Sequence, residues 1–199
     1  EEAAPHQWAA TQNNLGNAYA NLPTGNRGEN LRRAIDCYAA ALRVWTEEAA
    51  PQDWAMTQHN LGTAYSDLPT DDRGENLRRA MECYEAALRV RTEEAAPQDW
   101  AMTQNNLGIA YSDLPTGDRG ENLRRAIKHY EAALRIYTEE AAPQEWAGTQ
   151  TNLGIAYSDL PTGDRGENLR RAIEFFEAAL RVRTEEAAPQ QWAATQTGL

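Results

Sequence analysis

The side chains best suited to bind a transition metal or to act as nucleophile and base are His6, His59, His129, Cys37 and Cys83. Cys37, Cys83, His129 and Phe175 fall 46 residues apart, so they fill one column of a repeated pattern. A thiolate–imidazole site needs ligands converging at bonds of ~2 Å. Residues one repeat apart are separated by roughly a helix diameter, ~10 Å. Phe175 in the column also marks it as a packing position, and no two histidines share a repeat. The expectation is therefore packing, with no metal and no other cofactor.

Two further patterns invite chemistry. An Asp-Arg-Gly-Glu segment, Asp118–Glu121 in the third copy, suggests a cation loop. A calcium loop would place more carboxylates at alternating positions, and helix capping already accounts for Asp118 and Glu121. The pairs Arg32-Arg33, Arg78-Arg79, Arg124-Arg125 and Arg170-Arg171 suggest a phosphate track. Each repeat also carries a Glu-Glu pair such as Glu93-Glu94, and the chain has net charge -11 and pI about 4.8. That field argues against nucleic acid as a partner, and salt bridges between repeats are the expected use of the arginines. There is no Gly-rich phosphate loop and no nucleophile beside a base. The residues point to no catalytic role, and the chain reads as a binding protein and not as an enzyme.

The elements that position these residues follow from a period. Trp8, Trp54, Trp100, Trp146 and Trp192 are each 46 residues apart. The segments 54–99 and 100–145 differ at only nine positions. Four full units, 8–53, 54–99, 100–145 and 146–191, are followed by a partial unit, 192–199, making one array over 1–199. A repeat of this length implies a stack in which each unit contacts its neighbours. Within the third unit, Pro97 suits the first turn of a helix. Trp100, Leu107, Ala110, Tyr111 and Leu114 then form an apolar stripe at helical spacing, and Pro115 and Gly117 end it. Asp118 opens a second helix, in which Leu123, Ala126, Ile127, Tyr130, Ala133, Leu134 and Tyr137 extend a stripe of the same period. Nothing alternates with period two, so an all-α chain is expected.

Bulk composition sets the remaining bounds. Apolar residues are 41% of the chain, many of them alanine, and mean hydropathy is -0.75. No apolar run approaches the ~20 residues that span a bilayer, so no membrane is expected. Two cysteines make no disulfide framework, which with the lack of a signal-peptide pattern indicates a reducing cytoplasm. The chain begins Glu-Glu instead of Met and reads as a segment of a longer protein.

Leu107-Gly108-x-x-Tyr111 followed by Ala126-x-x-x-Tyr130-x-x-Ala133 resembles the tetratricopeptide repeat signature, and the match recurs in all four units. The chemistry agrees, since Gly108, Ala126 and Ala133 allow two helices to approach and Tyr111 and Tyr130 fill the space between. The unit is 12 residues longer than the family's usual 34, and Gln104 stands where the family has Trp. It is similar to the extended repeats of kinesin light chains and of many bacterial arrays. The resemblance implies a right-handed α-solenoid of antiparallel helix pairs, with longer second helices, that binds a peptide or helix of a partner protein. In bacteria such arrays often precede an effector domain.

Among near-identical units, the varying positions mark where the scaffold does not dictate the residue. In the first helix these are Ala10/Met56/Met102/Gly148, Asn13/His59/Asn105/Thr151 and Asn17/Thr63/Ile109/Ile155, on one helix face. The resemblance maps that face onto the ligand-facing concave groove. The constant Asn14, Asn60, Asn106 and Asn152 lie in the adjacent column, either to bond a peptide backbone or to bond across repeats. Ile109 and Ile155 with Met102 suggest a pocket for an apolar side chain. A different reading is a structural spacer, or a rod built by head-to-tail stacking of uncapped ends.

Overall fold

The computed structural model describes residues 3–69 and 72–184, so the partial unit at 192–199 and the tail of the fourth lie outside the described residues. Among the described residues there are eight helices and no strands. They are α1 (Ala3–Ala20), α2 (Arg27–Ala41), α3 (Pro51–Asp67), α4 (Arg73–Leu88), α5 (Pro97–Asp113), α6 (Arg119–Ala133), α7 (Pro143–Asp159) and α8 (Arg165–Leu180). The chain forms two compact units, Glu1–Ala96 and Pro97–Leu199. In the first, α1 packs on α2, α2 on α3, and α3 on α4, while α1 and α3 also touch. The second unit repeats this order with α5 to α8. Consecutive helix pairs packed in this way make an α-solenoid of helical repeats.

Local chemistry explains each boundary. α3 and α7 start with proline at the first helical position and no side-chain cap, where the missing N–H costs nothing. Second helices start on a side-chain cap. Asn26, Asp72, Asp118 and Asp164 accept from the amides of Glu29, Glu75, Glu121 and Glu167 at 2.9, 3.0, 2.7 and 2.8 Å. Arg27, Arg73, Arg119 and Arg165 reach back to donate to the carbonyls of Ala20, Ser66, Ser112 and Ser158, covering the C-terminal end of the preceding helix. The connecting loop turns at Gly25, Gly117 and Gly163, whose φ angles are 83°, 84° and 84°. It is pinned by Asn30, Asn122 and Asn168, which donate to Thr24, Thr116 and Thr162 at 2.9 Å.

The second helix is shorter than its apolar stripe suggests. α6 ends at Ala133, and Arg135, Ile136 and Tyr137 bond back through a tightened turn. Thr138 then organises the next turn by accepting from the Ala141 amide at 3.1 Å, as Thr46 and Thr92 do for Ala49 and Ala95. The threonine hydroxyl thus organises the turn that follows the helix. The extra residues of the long repeat thus build connections, and α2, α4, α6 and α8 span only 15 or 16 residues.

Each helix pair closes on a glycine. A Cβ added at Gly16, Gly62, Gly108 or Gly154 would lie 2.6, 2.8, 2.4 or 2.6 Å from the ring of Tyr38, Tyr84, Tyr130 or Phe176 respectively. Ala34, Ala80 and Ala126 are fully buried, and Ala172 nearly so, one turn before these rings. Small residues on both helices set the separation, and one aromatic ring per pair fills it.

Candidate functional site

The varying face of the first helices divides into three kinds of position. Asn13, His59 and Thr151 are buried. Asn13 accepts from Thr57 Oγ1 at 3.3 Å and from Asn60 Nδ2 at 3.4 Å, and Asn105 does the same for Thr149 at 3.2 Å and Asn152 at 3.4 Å. Asn60 also donates to Asn17 at 3.2 Å. Of the two uses open to the constant asparagines, Asn60 and Asn152 therefore serve the bond between neighbouring first helices. Asn14 is exposed and Asn106 half-buried.

The third column faces the second helix of its own pair. Asn17 accepts from the Tyr38 hydroxyl at 2.8 Å, and the Tyr84 hydroxyl meets Thr63 Oγ1 at 3.3 Å. Opposite Ile109, the Tyr130 hydroxyl turns to Ser112. Opposite Ile155 stands Phe176, with no hydroxyl to satisfy. Ile109 packs on the Leu123–Leu153–Tyr157 core and is half-buried, while Ile155 is exposed. The column therefore follows the ring behind it only at Ile155, since Ile109 faces a tyrosine as Asn17 and Thr63 do.

Open space remains beside the first column. A cleft of about 380 Å³ in the first unit is bounded by Ala10, Asn13, Asn14, Trp45, Asp53 and Met56, with His6 and Gln7 at its edge. A cleft of about 360 Å³ in the second unit is bounded by Met102, Asn105, Tyr137, Glu145, Gly148, Thr149, Asn152 and Arg183. Five of these positions correspond at a spacing of 92 residues: 10 and 102, 13 and 105, 45 and 137, 53 and 145, 56 and 148. Trp45 and Tyr137 sit just beyond α2 and α6, in the turn that ends each second helix. In the second cleft Gly148 leaves room for Arg183, whose guanidinium lies 3.1 Å from where a Cβ would be and donates to Thr151 at 3.0 Å. Arg183 and Tyr137 were not among the expected contact residues. The alternation Trp45/Arg91/Tyr137/Arg183 was the available signal.

The arginine pairs act differently from expectation. Arg33, Arg79, Arg125 and Arg171 bond Glu29, Glu75, Glu121 and Glu167 of their own helices, and Arg78, Arg124 and Arg170 join the last three glutamates. Arg33, Arg79, Arg125 and Arg171 also cover Tyr19, Tyr65, Tyr111 and Tyr157 at 5.5–5.7 Å from the ring centroids. Ionic contacts between repeats come from single arginines instead. Arg27 meets Asp67 and Arg119 meets Asp159, each at 3.2 Å; Arg89 meets Glu47 at 2.7 Å and Arg181 meets Glu139 at 2.8 Å. The spacing of the pair, three and four residues after a glutamate, explains the difference.

The two thiols and the imidazoles of His59 and His129 lie in the body of the helix pairs, while His6 is exposed. Burial pushes the Cys83 thiol up to about 12 and raises Cys37, disfavouring the thiolate that metal binding or nucleophilic attack requires. Burial, reinforced by Arg91, pushes His59 down to about 4. Burial also lowers His129, which stacks on Tyr111 at 5.4 Å and bonds Gln104 at 2.7 Å. Among the described residues no three His, Cys, Asp or Glu side chains gather into a metal-sized group, and no helix is long and apolar enough to cross a membrane. No protein-family model matches the chain, and no curated protein matches its sequence.

Proposed function

We propose that this chain is a tetratricopeptide-like array that binds an extended segment of a partner protein, with the clefts beside its first helices as the contact surface. The observation that carries the reading is the recurrence of the cleft 92 residues apart with different walls. Columns that hold the helix pairs together are nearly constant, whereas Ala10, Met56, Met102 and Gly148 change at the cleft. Met102 and Tyr137 offer an apolar wall, and Asn152 offers an amide within the same opening. That combination suits one apolar side chain presented on a polar backbone. The two protonated, unlinked thiols are compatible with a reducing cytoplasm. We assign the chain no catalytic role, and no nucleic-acid or membrane partner.

The test is selection of peptides from a displayed random library, followed by calorimetric titration of the enriched sequences. Met102→Glu should weaken them at least tenfold. Lys128→Glu, an exposed change on α6, should leave them unchanged. Equal affinity for the parent and Met102→Glu would remove the cleft as the contact surface.

A further inference from the structure

The two clefts differ in charge. The second is bounded by both Glu145 and Arg183, so its acid shares the opening with a cation of the chain itself. Arg183 reaches that opening because Gly148 leaves room for it. The corresponding residues of the first unit are Asp53, Arg91 and Met56. Met56 has a side chain where Gly148 has none, and Arg91 is 6% exposed and does not bound the cleft. Asp53 is thus the acid of the first cleft, and no lysine or arginine bounds that opening. Elsewhere in the same unit Glu47 and Asp67 are each taken by an arginine, Arg89 and Arg27. The exposed Asp53 carboxylate makes no ion pair among the described residues. The opening does not depend on where the chain begins. Each cleft lies between first helices that touch, α1 with α3 and α5 with α7, and the second is open with a whole compact unit of chain before it.

We propose, on the reading that the clefts are the contact surface, that the first cleft takes a lysine or arginine side chain of the bound segment. Its cation sits on Asp53 and its stem lies along Ala10 and Met56. Those two residues pack on the core cluster that holds Trp45, which gives the cleft an apolar wall for methylene groups. Long basic side chains bury such stems while keeping the charged head in water. The net charge of -11 also draws a cationic segment towards the opening. An acidic side chain would meet Asp53 with no cation to offset it. The second cleft, which already holds Arg183, has no such preference.

Peptides enriched on the full chain from the displayed random library are the probes, titrated calorimetrically against the parent, Asn14→Trp, Asp53→Asn and Asp53→Glu. Asn14 is exposed and bounds the first cleft, so Asn14→Trp fills the opening without changing its charge. Circular dichroism checks each variant for unchanged helicity, because Asp53 lies in the first turn of α3. Peptides weakened by Asn14→Trp should contain a lysine or arginine. Asp53→Asn should weaken them about threefold to fivefold at low salt, the size of one exposed ion pair, and added salt should erase the difference. Asp53→Glu should recover most of the loss. Replacing the peptide's lysine by norleucine, which keeps the stem, should cost the same factor with the parent and nothing with Asp53→Asn. A peptide that responds to Asn14→Trp yet lacks a basic residue, or is indifferent to Asp53→Asn, overturns the proposal and leaves the clefts as the contact surface. Peptides that all ignore Asn14→Trp overturn it too, and if they also ignore Met102→Glu the clefts are excluded altogether.

Discussion

Gly108 provides the sharpest test of how a helix pair is held. A methyl group there would lie 2.4, 2.6 and 2.9 Å from three ring atoms of Tyr130. Favourable carbon–carbon contacts lie at about 3.5–4.0 Å, so the ring must withdraw by about 1 Å. Tyr130 is 2% exposed and has no solvent side to withdraw into. Overpacking of this kind costs about 1–3 kcal/mol. Replacing a mid-helix glycine by alanine returns about 1 kcal/mol of backbone propensity. With three ring atoms in conflict the cost lies towards the upper end, and Gly108→Ala should destabilise by about 1–2 kcal/mol net. The assay is urea unfolding followed by circular dichroism, run as a cycle with Tyr130→Ala because repeat arrays need not unfold in one step. Without the ring, Gly108→Ala should be neutral or stabilising by up to about 1 kcal/mol. Gly148 is an internal control. It is also helical, and its Cβ would approach only the far end of the Arg183 side chain, at 3.1 Å, which can give by a few tenths of an ångström, so Gly148→Ala should stabilise. If Gly108→Ala stabilises the parent as well, the ring does not dictate the glycine, and this account of helix-pair spacing is refuted.

Two further outcomes follow from single side chains. His59 titrates near 4 in the folded chain against an ordinary 6.5, so the folded state favours neutral imidazole and the unfolded state binds the extra proton. Its contribution is complete above pH 6.5 and is lost as pH falls towards 4, a change of about 3 kcal/mol. The urea midpoint of the parent should therefore fall relative to that of His59→Asn, which installs the residue of the first and third repeats, as pH falls through that window. An equal loss in both proteins would exclude His59 as the cause. Gly117 has φ of 84° and at least 3.8 Å of room around an added Cβ, so Gly117→Ala should lose about 1–2 kcal/mol through backbone conformation alone. Thermal unfolding should show Gly117→Asn recovering part of that loss, since asparagine tolerates this region better.

Much of the fold is legible in the chain because each repeat states it again. The period, the proline starts, the Asp118 cap and the Gly108–Tyr130 contact all depend on residues adjacent in sequence or one helix apart. The end of the second helix is less legible. The stripe from Leu123 to Tyr137 keeps helical spacing, yet the helix ends at Ala133 and the chain passes through a tightened turn into one set by the Thr138 hydroxyl. Tyr137 is still buried from within that turn, so periodicity of burial outlasts the helix. The glutamates of the second helices were likewise legible as capping residues but not in their second role. Glu121 sits at the third helical position as a capping box requires, and its carboxylate is taken by Arg124 and Arg125.

The candidate site shows a more general difficulty. Variation among near-identical repeats marks freedom from the scaffold only where no other residue varies with it. In the third column only Ile155 changes together with the ring behind it, Phe176, which has no hydroxyl to satisfy; Asn17, Thr63 and Ile109 differ in front of Tyr38, Tyr84 and Tyr130. Asn13 and Asn105 go with Trp45 and Tyr137, whereas His59 and Thr151 go with Arg91 and Arg183, the last pair joined at 3.0 Å. The second column is compensated within the chain and carries little information about a ligand, whereas the third is compensated at Ile155 alone. The column Ala10/Met56/Met102/Gly148 is different. Arg91 and Arg183 stay the same while Met56 becomes Gly148, and both clefts open on this column. Internal packing therefore accounts for one varying column and for part of another, and the column of Met102 is where a change should alter binding without altering the fold.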